Sequence, residues 1–232
     1  MAVYYTPKIV TDGLVLCLDA GSTKSYSASA TTWYDLSNNS NTCTLSGGPS
    51  YNNSNNITSI VFDGVNGYGT MSNTTSLNIS ATISLESWIY PTKNTGTQNV
   101  ICKSSQAQNT GYIYPRTENG WASSIFYLSV TTGYGWSTLT ATWPSLNAWH
   151  HTVATYDGAT MCVYIDGKLS STKAQTAPNG IATNTNNLTL GTQIGYGELY
   201  GGRIGLSRVY NRALTQSEVL QNYNATKTRF GL

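Results

Sequence analysis

Charge is what this sequence has least of. Twelve Lys and Arg and ten Asp and Glu make up only 9% of 232 residues, where an average soluble domain carries roughly 25%. The charges nearly cancel, to a net +2, and no basic block occurs. Phosphate backbones are held by clustered Lys and Arg, so nucleic acid is not an expected partner. No apolar run is long enough to span a membrane, and membrane insertion is not expected either. The start, Met1-Ala2-Val3-Tyr4-Tyr5, lacks the basic opening and long apolar stretch of a secretory signal. Glu and Lys are also too scarce, beside abundant Thr, Tyr and Val, for a helical bundle.

Neutral polar residues fill the gap. Asn, Ser and Thr supply about a third of the chain, with 22 Gly and 17 Tyr. Hydrophobic content of 39% is enough for a core, and a folded chain of this length buries about 70–75% of its unfolded surface. Disorder is therefore not expected. Of the four cysteines, Cys17, Cys102 and Cys162 interrupt apolar, strand-like runs, and Cys43 is the fourth. Without a signal peptide all four read as free thiols behaving as small hydrophobes.

Periodicity points to strands. Leu14 to Leu18 is a continuous apolar run, the pattern of a strand buried on both faces. Ile83, Leu85, Ser87 and Ile89 alternate with Ser84, Glu86, Trp88 and Tyr90 until Pro91. A hairpin is predicted from His150 to Tyr156 and Met161 to Ile165, with turns at Asp157-Gly158 and Asp166-Gly167. Further strands are expected at Ile60–Phe62, Val100–Cys102, Ile125–Val130, Thr138–Trp143, Leu188–Leu190 and Arg203–Tyr210, while 46–56 reads as loop. The one convincing helix opens with the capping box Thr215-Gln216-Ser217-Glu218, with Leu214, Val219, Leu220 and Tyr223 as its apolar face. These elements predict an all-β fold, a two-sheet antiparallel jelly-roll sandwich with one short C-terminal helix. The domain runs from 14 to 232, after an N-terminal arm, 1–13, that could anchor neighbouring subunits.

Several segments carry a family resemblance. Trp149-His150-His151-Thr152-Val153-Ala154-Thr155-Tyr156-Asp157-Gly158, followed by Val163-Tyr164-Ile165-Asp166-Gly167, resembles the signature hairpin of laminin-G-like, concanavalin A-like jelly rolls. Phe62-Asp63-Gly64-Val65 and the tail from Gly202 through Arg208-Val209-Tyr210-Asn211-Arg212 to Val219 fit the same pattern. The opening Pro7 to Leu16, Asp19-Ala20-Gly21, Trp33-Tyr34-Asp35-Leu36-Ser37 and the ending Gln221 to Lys227 are similar to the version found in phage structural proteins, notably of cyanophages. The resemblance implies a β-sandwich that binds glycans or proteins, often with Ca²⁺, in a capsid decoration, tail or fibre protein. The expected location is then the virion surface after synthesis in the host cytoplasm. Expected partners are other virion proteins, a cell-surface glycan and further copies of the chain. A free carbohydrate-binding module is the alternative.

Enzymatic chemistry finds little support. Related jelly-roll glycosidases carry a Glu-x-Asp-x-x-Glu strand, whereas Glu86, Glu118, Glu198 and Glu218 each lack a second acid within five residues. Glu86 remains the one candidate for an atypical hydrolase. His150 and His151 are adjacent, hence on opposite strand faces, and are expected to pack. No cofactor is required. Asp19, Asp35 and Asp63 end strand-like segments and are the Ca²⁺ candidates; the competing role is turn capping. Trp88 and Trp149 belong to patterned strands and read as core. The aromatic stretch 104–146 supplies the contact candidates Trp121, Tyr134 and Trp136, in Gly-flanked segments read as loops, where glycan or protein contact competes with packing.

Overall fold

Alternation between apolar and small polar residues decides the architecture. A computed structural model describes residues 8–107, 110–118, 121–130, 135–176 and 180–232. Among them are sixteen strands. The first eight are β1 (Leu14–Asp19), β2 (Thr32–Trp33), β3 (Cys43–Ser46), β4 (Ser50–Ser54), β5 (Ile57–Asp63), β6 (Tyr68–Met71), β7 (Ile83–Pro91) and β8 (Gln98–Lys103). The rest are β9 (Tyr112–Glu118), β10 (Trp121–Ser129), β11 (Trp136–Thr142), β12 (His150–Tyr156), β13 (Thr160–Ile165), β14 (Lys168–Ala174), β15 (Leu188–Leu190) and β16 (Gly201–Tyr210). Helix α1 (Gln216–Thr226) continues into a 3-10 turn, Lys227–Phe230.

The strands form two antiparallel sheets of eight. The first runs β14-β13-β12-β7-β16-β5-β4, with β1 pairing the second half of β16. The second runs β11-β10-β9-β8-β15-β6-β3-β2. This is the two-sheet sandwich with one C-terminal helix that the sequence predicts.

The central strand β7 has the predicted two faces. Ile83, Leu85 and Ile89 lie in the main core with Leu16, Phe62, Tyr114, Phe126 and Leu190, between the sheets. Ser87 joins them through a hydroxyl contact with Ser207, 3.0 Å. The opposite face of β7 is covered by the C-terminal segment rather than by solvent. Trp88 stacks on Phe230, ring centroids 4.2 Å apart, and Trp149 packs against the same ring at 4.9 Å. Both tryptophans are core, as expected.

Helix α1 forms where its capping box indicates. Thr215 Oγ1 accepts from the Glu218 N–H, and Glu218 accepts from the Thr215 N–H. Leu214 and Val219 are buried against Val10, Val153 and Tyr210, whereas Leu220 is exposed, contrary to the predicted apolar face. The described part of the arm docks on this layer: the Val10 N–H donates to Asn222 Oδ1, 2.8 Å. At the hairpin end, Asp166 and Gly167 both have positive φ, 51° and 75°, the backbone of a type I′ turn.

Three readings of the sequence are corrected. Residues 50–54, read as loop, form the edge strand β4, and Lys168–Ala174 adds the edge strand β14. Trp121 and Trp136 are not in loops but begin β10 and β11, opposite Glu118 and Ser129. Alternating Ser, Thr and aromatic residues suit a pleated surface and carry these segments into the sheet. The four cysteines are unpaired; Cys17, Cys43 and Cys102 are buried and Cys162 is half-buried. Burial pushes the Cys43 and Cys102 thiols up to about 12.

Candidate functional site

Two polar clusters stand out in a chain so poor in charge, and they differ in access. The first is centred on Glu86, on the outer face of the first sheet. Cross-strand register sets Arg208 of β16 opposite it, with His151 of β12 on the same face. Arg208 Nη1 donates to Glu86 Oε1 at 2.8 Å, and His151 Nε2 lies 2.9 Å from the same oxygen. Asn222 of α1 donates to Glu86 Oε2 at 2.8 Å and to the Tyr210 hydroxyl at 3.0 Å. Glu86 and His151 are fully buried. Burial alone would raise the Glu86 carboxyl, but the Arg208 charge and the bonds from His151 and Asn222 outweigh it and hold it at about 2. An ionised carboxylate sealed under a helix can neither donate a proton to a glycosidic oxygen nor reach a sugar. Glu86 is therefore not a catalytic residue; it ties the C-terminal helix to the sheet.

The second cluster lies at the end of the sandwich where the β5–β6, β7–β8 and β15–β16 connections cross between sheets. Asp63 ends β5, and its Oδ1 accepts from the N–H groups of Val65, Asn66 and Gly67 at 2.9, 2.9 and 3.0 Å. Those backbone donors lower the Asp63 carboxyl below its ordinary value. The turn they fix projects Val65 and Asn66 outward. Facing it is the loop Gly191–Tyr200. Its ends are clipped by Tyr200 N–H to Gly191 O, 2.9 Å, and its interior is held from below by Arg116 of β9. The Arg116 guanidinium meets Glu198 Oε2 at 2.5 Å and Oε1 at 3.1 Å, Gln193 Oε1 at 3.0 Å and Asn99 Oδ1 at 2.9 Å. Nη1 is shared among the three residues, and Nη2 completes a two-nitrogen pairing with Glu198. Gly195 and Gly197, at φ 88° and 65°, turn the tip.

Between this turn and this loop is a concavity of about 550 Å³. Its apolar lining is Val65, Tyr68, Ile194 and Leu199; its polar lining includes Asn66, Thr70 and Asn187. Among the described residues, the side chains of Asn66, Tyr68 and Thr70 hydrogen-bond to nothing else in the chain. Two shallower concavities adjoin it. One of about 410 Å³ shares Ile194 and Gly195; the other, of about 360 Å³, shares Gly197 and Leu199 and adds Lys93 and Glu198. Neutral donors and acceptors thus lie beside aliphatic surface on a framework already tied down, the chemistry that a neutral polar ligand would require.

None of the described side chains singled out from sequence lines the concavity, although Asp63 fixes the turn at its rim. Trp136 is half-buried, edge-on to Tyr127 with ring centroids 5.6 Å apart, and Arg116 lies over the same Tyr127 ring at 5.2 Å. It thus borders the framework behind the loop rather than the concavity. The side chain of Trp121 and the whole of Tyr134 lie outside the described residues. Asp19 is paired with Arg229 at 2.6 Å. Asp35 accepts from the N–H groups of Cys17, Ser37 and Asn41, each at 2.8 Å, and from the Ser37 hydroxyl at 2.7 Å. Asp63 caps its turn. The three do not converge, and no group of three or more His, Cys, Asp or Glu is placed to hold a metal among the described residues. Their oxygens serve turns and an ion pair, so this set does not fit Ca²⁺.

His150 bonds Asp166 at 2.9 Å and Ser145 at 2.8 Å, locking the hairpin. The concavity was missed because its residues come from separate stretches. The visible signal was Gly-Tyr-Gly within 195–197, flanked by Ile194 and Leu199.

Comparisons with known proteins follow the fold. The binding domain of Paraclostridial Mosquitocidal Protein 1 superposes with a TM-score of 0.73 at 17% identity, over 92% of this chain and 52% of that one. The receptor binding domain of botulinum neurotoxin C/D mosaic serotype gives 0.73 at 15%, over 92% and 51%. The binding domain of botulinum neurotoxin DC in complex with SialylT gives 0.72 at 16%, over 93% and 52%. The chain spans about half the length of these toxin domains, and at such identities the likeness is one of fold. No curated protein matches the chain in sequence. A model of the concanavalin A-like lectin/glucanases superfamily, of laminin-G type, matches residues 63–220. Those residues make up more than half of the sequence, and the chain belongs to that superfamily.

Proposed function

We propose that this domain is a non-enzymatic recognition module that binds cell-surface glycan through the concavity at the β5–β6 and β15–β16 end of the sandwich. The observation that carries the reading is the set of uncommitted neutral side chains, Asn66, Tyr68 and Thr70, facing an aliphatic wall in a preformed concavity. Sugars present both hydroxyls and apolar C–H surface, and such a lining meets both. Membership of a lectin/glucanase superfamily supports carbohydrate as the ligand, and the structural neighbours are described as binding domains. The non-enzymatic reading rests on the glutamates. Each is held by an arginine: Glu86 by Arg208, Glu118 and Glu198 by Arg116, and Glu218 by Arg212. Paired carboxylates poised for hydrolysis would need one of them protonated.

The resemblance of both chain ends to phage structural proteins supports display on a virion surface, made in the host cytoplasm, with other virion proteins as neighbours. A glycan array tests the ligand. Binding that is lost on Asn66→Ala and Thr70→Val is the expected result, and no binding to any glycan overturns the reading. Release of new reducing ends from a polysaccharide panel would overturn the non-enzymatic part. Mass spectrometry of purified virions tests the placement, and absence of the chain from particles overturns it.

A further inference from the structure

The apolar part of the main concavity is aliphatic. Val65 is 65% exposed and Ile194 41%, and with Leu199 they form a wall in which Tyr68 is the one aromatic ring among the lining residues. The C–H face of a plain hexose is matched by a flat ring; branched aliphatic side chains suit a compact methyl group instead. Beside the wall stand the partners an amide needs. Asn187 Oδ1 accepts from the Asn73 N–H at 3.1 Å, which fixes the side-chain amide and leaves its N–H donors for a ligand carbonyl. The Asn66 amide and the Tyr68 and Thr70 hydroxyls, without partners among the described residues, accept or donate as required.

Among the described residues, no charged side chain lines this concavity. Asp63 and Arg116 lie behind the lining, bonded to the Asn66 N–H and to Gln193; Lys93 and Glu198 line an adjoining concavity, and Arg116 is already paired with Glu198. A carboxylated sugar would lose hydration here with no cation to receive it. The shared walls with the two shallower concavities give a chain of sugars room to continue on either side.

From this lining we infer that the main concavity takes an uncharged N-acetylhexosamine unit within a longer glycan, an inference that rests on the glycan-binding reading above. A site that hydrogen-bonds a substituent discriminates against the analogue lacking it, because its own polar groups are left unpaired. Titration calorimetry with chitotriose and cellotriose tests this, since the two share a β-1,4 backbone and differ in the acetamido group. Chitotriose is expected to bind at least about tenfold tighter, and 3′-sialyllactose more weakly than chitotriose.

Val65→Ser and Ile194→Ser, at exposed positions, should bring the chitotriose-to-cellotriose ratio towards one with circular dichroism and thermal midpoint unchanged. Equal binding of the two trisaccharides, or preference for the sialylated one, overturns the N-acetyl inference and leaves glycan binding standing. An unchanged ratio in both variants also overturns it, by placing the ligand elsewhere. Failure of every glycan on a broad array would instead remove the underlying reading.

Discussion

The Glu86 cluster and the Arg116 cluster are built from the same parts, an arginine, a glutamate and amide side chains, yet one is closed and the other borders open space. Around Glu86 every carboxylate oxygen is met, and α1 seals the group from water. Around Arg116 the ion pair lies beneath a loop, and among the described residues the side chains of Asn66, Tyr68 and Thr70 beyond it have no hydrogen-bond partner. Of these two charged clusters, one fastens a helix to the sheet and the other holds the loop Gly191–Tyr200 in shape. What separates the two is exposure: Arg208 Nε and His151 Nδ1, without partners in the closed cluster, are buried, whereas Asn66, Tyr68 and Thr70 face an open concavity.

The largest effect should come from breaking the closed cluster. Glu86→Gln keeps the shape but leaves the Arg208 charge buried without its counter-ion, which costs about 3–5 kcal/mol. Urea unfolding should show it as a lower midpoint, with glycan affinity unchanged wherever the variant is folded. Loss of binding at unchanged stability would contradict the division of labour between the clusters.

The same carboxylate predicts an acid limit. Its folded value of about 2 lies below the ordinary glutamate range, so the folded state binds fewer protons than the unfolded one as pH falls. The stabilisation is present in full above the ordinary carboxylate range and disappears as pH drops through about 2. Glu218, held at about 2 chiefly by the hydrogen bond from Arg212, adds to the same window. Urea midpoints measured from pH 7 downwards should stay level until the ordinary glutamate range and then decline. The decline should be shallower in Glu86→Gln; an equal slope would remove Glu86 from the account.

The two clusters were unequally legible in the sequence. Alternation along β7 places Glu86 on the Trp88 face, and the capping box places α1; both follow from local spacing. What spacing does not carry is that Arg208 and Asn222 arrive from 122 and 136 residues away to bury that carboxylate. The same holds at the loop end, where Arg116 meets Glu198 across 82 residues. Strands β4 and β14 escaped notice because edge strands exposed to water need no apolar alternation, and their sequences, SYNNS and KLSSTKA, have little. Trp121 and Trp136 drew attention by composition, but aromatic content marks strand surface as readily as it marks a binding loop. The turn signals at Asp63-Gly64 and Asp166-Gly167 were readable because a positive φ restricts the residue choice on its own.

A smaller stability effect, with a larger one on binding, is expected from Arg116→Lys. An ammonium is a point charge and cannot reproduce the two-nitrogen pairing of Arg116 with both Glu198 oxygens while also reaching Gln193 and Asn99. Stability should fall by about 1–2 kcal/mol, the scale of charge-assisted hydrogen bonds lost. The loop Gly191–Tyr200 would lose its fixed shape, and glycan affinity should drop about tenfold through the cost of ordering it again on binding. Hydrogen exchange at the Tyr200 amide, bonded to Gly191 O, should quicken while that of the Arg208 amide in β16 stays slow. Equal acceleration at both sites would mean that the clusters are one cooperative unit and not two.

The smallest change in stability belongs to Tyr68→Phe, and it is the sharpest test of the open side. The Tyr68 hydroxyl has no hydrogen-bond partner in the chain among the described residues, so removing it should alter stability by less than about 0.5 kcal/mol. If it meets a ligand, the lost hydrogen bond should weaken glycan binding by about 1 kcal/mol, roughly fivefold. The ring and its apolar contact remain, so the effect isolates the oxygen. Near-identical unfolding curves beside a several-fold weaker binding isotherm would confirm that exposed, unmet polar atoms mark the site. Unchanged affinity would instead make the hydroxyl an ordinary solvated group, and the contrast between the two clusters would reduce to one of burial alone.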